Sequence, residues 1–133
     1  MIDTSALVAA LVSDHEHHEL ARPRLAEITR VPAIVLAETF SQLRRTFGQP
    51  ADLSAQLLAN WWEESKRVLP TTAAALSLVL SRAGELDLGG NVHDALIAQV
   101  CRENRLGLLT ADGRQHRLAL ALGVDSTYLL AAT

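Results

Sequence analysis

The sequence of 133 residues has a single cysteine, Cys101, so it cannot form an internal disulfide. This cysteine usage is typical of the reducing cytoplasm, and we expect a cytoplasmic protein. No apolar run approaches the roughly 18 residues that a membrane helix needs, so we expect no membrane association. The chain start lacks a basic n-region, and Asp3 and Asp14 bracket its short apolar stretch, which argues against a signal peptide.

The chain also lacks an excess of positive charge, since its formal net charge is −3. Nucleic-acid-binding proteins usually carry a basic patch, and the net charge does not indicate one here. A small acidic site can nevertheless hold divalent cations, which reverse the local sign of charge. With 49% hydrophobic and 20% charged residues, the composition is that of a globular protein, and the length predicts one domain over residues 1–133.

Short apolar runs alternate with helical patterns along the chain, and glycine or proline marks several of the boundaries. The predicted strands are 1–2, 31–35, 67–70, 106–109 and 124–129. The predicted helices are 6–12, 13–28 with a break at Pro23, 36–45, 51–65, 73–86, 92–104 and 114–122. This alternation predicts an α/β fold with a mainly parallel sheet that helices cover on both faces.

Capping residues predict where several of the helices begin. We expect Thr4 or Ser5 to cap the first helix, Ser13 with Glu16 to cap the second, and Asn91 to cap helix 92–104. Thr71 or Thr72 is expected to cap helix 73–86, and Gly89-Gly90 to interrupt the chain after it.

Four acidic residues lie just after predicted strands or in the first turn of a predicted helix. They are Asp3, Glu38, Asp94 and Asp112. In a parallel sheet, the carboxyl ends of the strands share one edge, where open α/β sheets bind ligands. Carboxylates gathered in one crevice repel each other, and divalent cations relieve that repulsion. Hard oxygen donors without a histidine–cysteine cluster at zinc spacing favour Mg²⁺ or Mn²⁺.

The same acids also have purely structural interpretations. Acidic residues in the first turn of a helix complement the helix dipole, which is sufficient to explain Glu38 and Asp94. Asp112 before Gly113 is typical of a turn, and Asp3 is a possible helix cap. Spacing alone therefore leaves a metal site and a structural role both open.

Each of the four acids lies in a short segment composed mainly of apolar and hydroxyl residues. The segments are Ile2-Asp3-Thr4-Ser5-Ala6-Leu7, Val35-Leu36-Ala37-Glu38-Thr39, His93-Asp94-Ala95-Leu96-Ile97-Ala98 and Leu109-Thr110-Ala111-Asp112. They resemble the four motifs of the PIN domain, and most closely those of VapC-type toxins from bacterial toxin–antitoxin pairs. The resemblance covers essentially the whole chain, with the acids in the order of the family. It implies a three-layer α/β/α sandwich and a Mg²⁺- or Mn²⁺-dependent ribonuclease. It also implies a VapB-type antitoxin as partner and usually a homodimer.

The resemblance also assigns roles to individual residues. By matching position, it makes Asp3, Glu38, Asp94 and Asp112 the catalytic, metal-binding acids. Thr110 becomes the hydroxyl that steadies the acidic cluster, with a similar part for Ser5. Many relatives carry a phenylalanine soon after the fourth acid, where this chain reads Gly113-Arg114-Gln115-His116. This departure concerns the local packing rather than the acids.

Arginines near the predicted site are candidates for contacts with RNA phosphates, the alternative being a solvated helix surface. They are Arg44, Arg45, Arg114 and Arg117.

The apolar residues of helix 51–65 span an arc of roughly 200°, wider than the ~100° that one core face needs. We therefore predict that Leu58, Trp61 and Trp62 lie at a dimer or antitoxin interface, the alternative being a deeply buried helix.

Other residues and function classes receive less support. His15, His17 and His18 lie among acidic residues at spacings that allow a transition-metal site, but an exposed helix start is the simpler interpretation. Cys101 is expected in the core rather than as a catalytic thiol. A catalytically inactive PIN-like binding module is the alternative function, although all four acids are present. A phosphoacceptor domain of receiver or haloacid-dehalogenase type is disfavoured, because Asp3 lacks the second acid and the only lysine, Lys66, follows no predicted strand.

Overall fold

The computed structural model describes residues 1–88 and 91–131, so the predicted break at Gly89-Gly90 lies outside the described residues. The α-helices are α1 (Thr4–Leu11), α2 (His18–Ala21), α3 (Ala33–Arg45), α4 (Ala51–Glu63), α5 (Ala73–Ser81), α6 (Val92–Glu103) and α7 (Gly113–Ala121). The strands are β1 (Val31–Pro32), β2 (Val68–Leu69), β3 (Leu108–Thr110) and β4 (Ser126–Tyr128). Short 3₁₀ helices cover Arg22–Glu27 and Ser65–Arg67. None of the described helices is long and apolar enough to cross a membrane.

Every strand pairing in the described part of the chain is parallel. β1 pairs with β2, and β3 pairs with β4 with Thr110 opposite Tyr128. Ile2 forms a further parallel bridge to Leu109, and the Asp3 amide donates to the Leu109 carbonyl at 3.0 Å. The chain start therefore lies alongside β3, and Asp3 emerges at the same edge as Thr110. The predicted α/β class with parallel pairing is confirmed.

The core is built mainly from α1, α6 and the buried strands. Its fully or almost fully buried side chains include Ile2, Leu7, Val31, Val35, Leu58, Ile97, Val100 and Leu108. Cys101 is also completely buried, and burial raises the pKa of its thiol to about 12. The thiol is therefore not nucleophilic at neutral pH, and the predicted core position of Cys101 is confirmed.

Pro32 ends β1 and begins the next helix. The predicted strand 31–35 stops at Pro32, and α3 begins at Ala33, three residues before the predicted start at 36. Proline lacks the N–H that a strand needs, and its fixed φ is suited to a helix start. Glu38 consequently lies in the second turn of α3, outside the reach of the helix dipole. The dipole interpretation of Glu38 is therefore wrong.

Several predicted caps are also wrong. The N-cap of α1 is not Thr4 or Ser5 but Asp3, whose side chain accepts from the Ala6 amide, so the structural interpretation of Asp3 as a helix cap is confirmed. Residues 13–17 form turns and bends instead of a capped helix, and α2 begins only at His18. Asn91 precedes α6 but forms no side-chain capping bond. The cap at Thr72 is confirmed, because its side chain accepts from the Ala75 amide.

Candidate active site

Asp3 lies at the start of α1 and is almost completely enclosed, with 4% of its surface exposed. One carboxylate oxygen, Oδ1, accepts from the Ala6 amide at 2.9 Å and from the Ser5 hydroxyl at 2.8 Å. The other oxygen, Oδ2, accepts from the Thr110 hydroxyl at 2.5 Å. Burial raises the pKa of Asp3 to about 6 even though these hydrogen bonds lower it. Asp3 is thus a constrained carboxylate whose pKa burial holds above its ordinary value.

Two hydroxyl groups join the first motif to the last. Ser5 Oγ, which donates to Asp3, accepts from the Ala111 amide at 3.0 Å. Thr110 Oγ1, which also donates to Asp3, accepts from the Asp112 amide at 3.0 Å. Each hydroxyl therefore uses its donor on Asp3 and its lone pair on the peptide that leads to Asp112. These contacts support the role that the sequence assigns to Ser5 and Thr110.

Asp112 is the N-cap of α7, and its Oδ1 accepts from the Arg114 amide at 2.9 Å. Burial, followed by the negative charges of Asp112 and Glu38, raises the pKa of Asp94 to about 6. The charge of Asp112 also contributes to the raised pKa of Asp3. The charges of the predicted acids therefore act on one another, and the charge of Asp112 acts on two of them.

Glu38 reaches the site from α3 and has two side-chain partners that sequence reasoning missed. The Thr4 hydroxyl donates to Glu38 Oε1 at 2.8 Å, and His93 Nδ1 lies 3.3 Å from Glu38 Oε2. Thr4 directly follows Asp3 in the sequence, and His93 directly precedes Asp94. In the sequence, the only indication that Thr4 or His93 belongs to the site was therefore its position next to a predicted acid.

Two of the four predicted acids, Glu38 and Asp94, border a cleft with a volume of about 660 Å³, whereas Asp3 and Asp112 are not among the described residues that line it. It is lined by Glu38, Leu86, Asp87, Asn91, His93, Asp94, Arg114 and Arg117. Two of the four predicted RNA-binding arginines, Arg114 and Arg117, thus face the cleft. Among the described residues, Arg44 and Arg45 do not line it, and Arg44 donates instead to the Gln49 carbonyl at 2.9 Å. Contact of Arg44 and Arg45 with RNA phosphates therefore stays a prediction, without support from the cleft lining.

The chemistry of these side chains fits a hard divalent cation. Each Asp3 oxygen has two protein contacts, because Ser5 Oγ lies 2.8 Å from Oδ1 and 3.0 Å from Oδ2, so the fit to a cation rests on the oxygen chemistry of the acids as a group. Over residues 1–88 and 91–131, however, no three His, Cys, Asp or Glu side chains converge closely enough to hold one ion. Carboxylates that no cation neutralises repel each other, so the protein without a bound ion favours a wider spacing between them.

The histidine cluster does not form a metal site in the described part of the chain. His18 is 9% exposed, and its Nδ1 lies 2.9 Å from the Ala9 carbonyl, so it packs against α1. The predicted exposed position of this histidine is therefore wrong. His15 and His17 remain near each other, with ring centroids 5.6 Å apart.

Of the three residues that we predicted to form a partner interface on α4, only one is exposed. Leu58 and Trp61 are 1% and 4% exposed and belong to the chain's own core. The Arg67 guanidinium covers the Trp61 ring at 4.1 Å from its centroid. The prediction is wrong for these two residues, because their surface is already occupied. Trp62, at 48% exposure, remains available, with Leu53 at 43% on the same helix.

Comparison with known proteins identifies the fold. The PIN domain family model matches residues 1–120. The structure is similar to VapC20 of Mycobacterium tuberculosis, a "Sarcin-Ricin loop cleaving toxin", with TM-score 0.71, 22% identity and coverage of 92% of this chain and 94% of that chain. It is also similar to FitAB bound to the IR36 DNA fragment (TM-score 0.71, 15% identity, 99% and 96% covered).

A third similar structure is FitAcB from Neisseria gonorrhoeae, with TM-score 0.68, 19% identity and 98% of each chain covered. No curated protein sequence matches significantly. These structures share the fold at low identity, and the family model covers nearly the whole chain. The chain therefore belongs to the PIN domain family.

Proposed function

We propose that this chain is a Mg²⁺- or Mn²⁺-dependent endoribonuclease that acts as the toxin of a VapBC-type toxin–antitoxin pair. The observation that carries the proposal is that the charge of Asp112 raises the pKa of both Asp3 and Asp94, and that Asp94 lines an open cleft together with Glu38. Capping explains the positions of Asp3 and Asp112, and the helix dipole that of Asp94, but these explanations leave the repulsion among the acids uncompensated. A divalent cation bound among them would relieve that repulsion.

The proposed chemistry is hydrolysis of an RNA phosphodiester bond. A divalent cation bound there would supply activation of water and neutralisation of charge on the phosphate. Asp3, Asp94 and Asp112 would hold it, and Glu38 would bind a second cation or orient the water. Arg114 and Arg117 in the cleft provide positive charge for the phosphates of the substrate.

The similar structures support the choice of substrate and partner. VapC20 is a toxin that cleaves the sarcin–ricin loop, which supports RNA as the substrate class. FitAB was determined on a DNA fragment, which supports a partner with a DNA-binding part. We therefore propose a VapB-type antitoxin with a DNA-binding amino terminus, and a cytoplasmic homodimer of the toxin within the complex.

The decisive experiment measures RNA cleavage by the chain purified free of antitoxin. We expect activity with Mn²⁺ or Mg²⁺, loss of activity in EDTA and recovery when Mn²⁺ is added back. Asp112→Asn keeps a helix cap but removes the charge, and should lower cleavage by more than about 100-fold. The matched control is Asp14→Asn, because Asp14 is exposed in the turn after α1 and should leave activity unchanged.

Two outcomes would contradict the proposal. Full cleavage in EDTA would exclude the metal-dependent mechanism. Absence of cleavage by a folded protein in Mn²⁺, together with tight binding of an antitoxin, would favour the alternative of an inactive PIN-like binding module.

A further inference from the structure

Gln115 is a polar side chain that the proposed function does not yet use. It is the third residue of α7 and is completely buried. Its amide nitrogen, Nε2, donates to the backbone carbonyl of Asp94 at 3.1 Å. Its carbonyl oxygen, Oε1, has no hydrogen-bond partner among the described residues. Burying a side-chain amide costs free energy unless the amide is hydrogen-bonded. The bond from Gln115 Nε2 to the Asp94 carbonyl offsets part of that cost.

This single hydrogen bond connects the starts of two helices. Asp112 caps α7, and its side chain accepts from the Arg114 amide immediately before Gln115. Asp94 lies in the first turn of α6. The Gln115 side chain therefore ties the peptide that carries Asp94 to the helix that Asp112 begins. Since Asp94 and Asp112 carry like charges, this tie opposes a force that pushes the two helix starts apart.

We propose that Gln115 is a positioning residue of the acidic site, which fixes Asp94 relative to Asp112 and so sets the affinity of the site for a divalent cation. The inference rests on the proposed function, because it assigns a cation to that site. Metal sites depend on ligand positions to within tenths of an ångström, so a loosened helix start weakens binding without removing a ligand.

The experiment compares two glutamine variants in the full chain. Gln115→Met keeps the approximate shape of the side chain but removes the donor to Asp94. The matched control is Gln99→Met on α6. Gln99 is 4% exposed, its Oε1 also lacks a partner among the described residues, and no hydrogen bond joins it to an acid. Thermal stability, Mn²⁺ affinity by calorimetry, and kcat and KM on RNA are measured for both variants and the wild type.

For Gln115→Met we expect a folded protein with Mn²⁺ affinity about 10–100-fold weaker, as is usual when a group supporting a metal ligand is removed. At a fixed, low Mn²⁺ concentration kcat should fall, saturating Mn²⁺ should restore part of it, and KM for RNA should not change. Gln99→Met should match the wild type in Mn²⁺ affinity, kcat and KM.

Three results would overturn the inference. They are wild-type Mn²⁺ affinity in Gln115→Met, equal losses in both variants, or failure of Gln115→Met to fold while Gln99→Met folds. The wild-type measurement separates this inference from the proposed function. A wild type that neither binds Mn²⁺ nor cleaves RNA contradicts the proposed function. A wild type that does both upholds it, whatever Gln115→Met shows.

Discussion

At the scale of single residues, Thr110 is the side chain on which the hydrogen bonds of the site converge. Its hydroxyl donates to Asp3 and accepts from the Asp112 amide. We expect Thr110→Val to leave the Asp112 amide without this partner and to reduce the free energy of unfolding by about 1–3 kcal/mol. The substitution also removes a hydrogen bond that lowers the pKa of Asp3, so this pKa should rise above about 6.

Denaturant unfolding measures this loss, with Thr110→Ser as the control that retains the hydroxyl. If the valine variant is as stable as the wild type, Thr110 has no part in holding the site together.

Asp94 is expected to destabilise the metal-free protein at neutral pH. Burial, together with the charges of Asp112 and Glu38, raises its pKa to about 6, above the unfolded value of about 3.9. A raised carboxyl pKa contributes stability that is present below about pH 4 and lost as the pH rises through about 6. Without metal at pH 7.5, Asp94→Asn should therefore be as stable as the wild type or more stable, by up to about 2 kcal/mol.

Thermal melts with and without Mn²⁺ test this expectation. The wild type should melt at a higher temperature with Mn²⁺, because the cation binds only the folded site, whereas Asp94→Asn should hardly change. The stability difference between the two proteins without metal should disappear at pH 4. An Asp94→Asn variant that melts well below the metal-free wild type would show that Asp94 is a structural residue of the helix start.

At the scale of elements, the two neighbouring tryptophans of α4 differ in burial, since Trp61 lies in the core and Trp62 is exposed. Trp61→Ala should cost about 3–5 kcal/mol of stability, because Trp61 is buried beneath Arg67. Trp62→Ala should cost less than about 1 kcal/mol in the isolated chain but weaken dimer or antitoxin binding by more than about 1 kcal/mol. Denaturant melts and titration of each variant with its partner separate the two effects. Unchanged assembly of Trp62→Ala would show that this face has no partner.

Apolar periodicity was sufficient to predict most helices, but not where several of them begin. The start of α3 depends on Pro32, which the sequence allowed as part of a strand, and the start of α1 depends on Asp3 rather than on a neighbouring hydroxyl. Residues 13–17 matched a capping box yet form turns, because local spacing does not decide whether a helix packs.

The residues of the candidate site also divide into those that sequence patterns predicted and those whose contacts depend on tertiary packing. The four acids were identified from their positions after strands and from the family motifs. The contacts of Thr4, His93 and Gln115 were missed, because each of them joins residues from different elements. Sequence spacing predicts neighbours along one helix or strand, and it carries little information on such cross-element pairs.

At the scale of the whole molecule, the site combines side chains from the beginning, the middle and the end of the chain. Asp3 precedes α1, Glu38 lies on α3, Asp94 on α6 and Asp112 at the start of α7. The parallel bridge between Ile2 and Leu109 holds the first of these beside the last. No fragment that lacks either end of this arrangement can therefore contain the complete acidic site.

This arrangement has a consequence for the newly made protein. Asp3 is translated before its partner Thr110, which lies 107 positions later in the sequence. At the usual translation rate of about 5–20 residues per second, the interval between them is roughly 5–20 s. During that interval the nascent chain has no strand β3 against which Ile2 can pair. A chain with the proposed toxic activity therefore cannot complete its acidic site until the segment that carries Thr110 and Asp112 has been made.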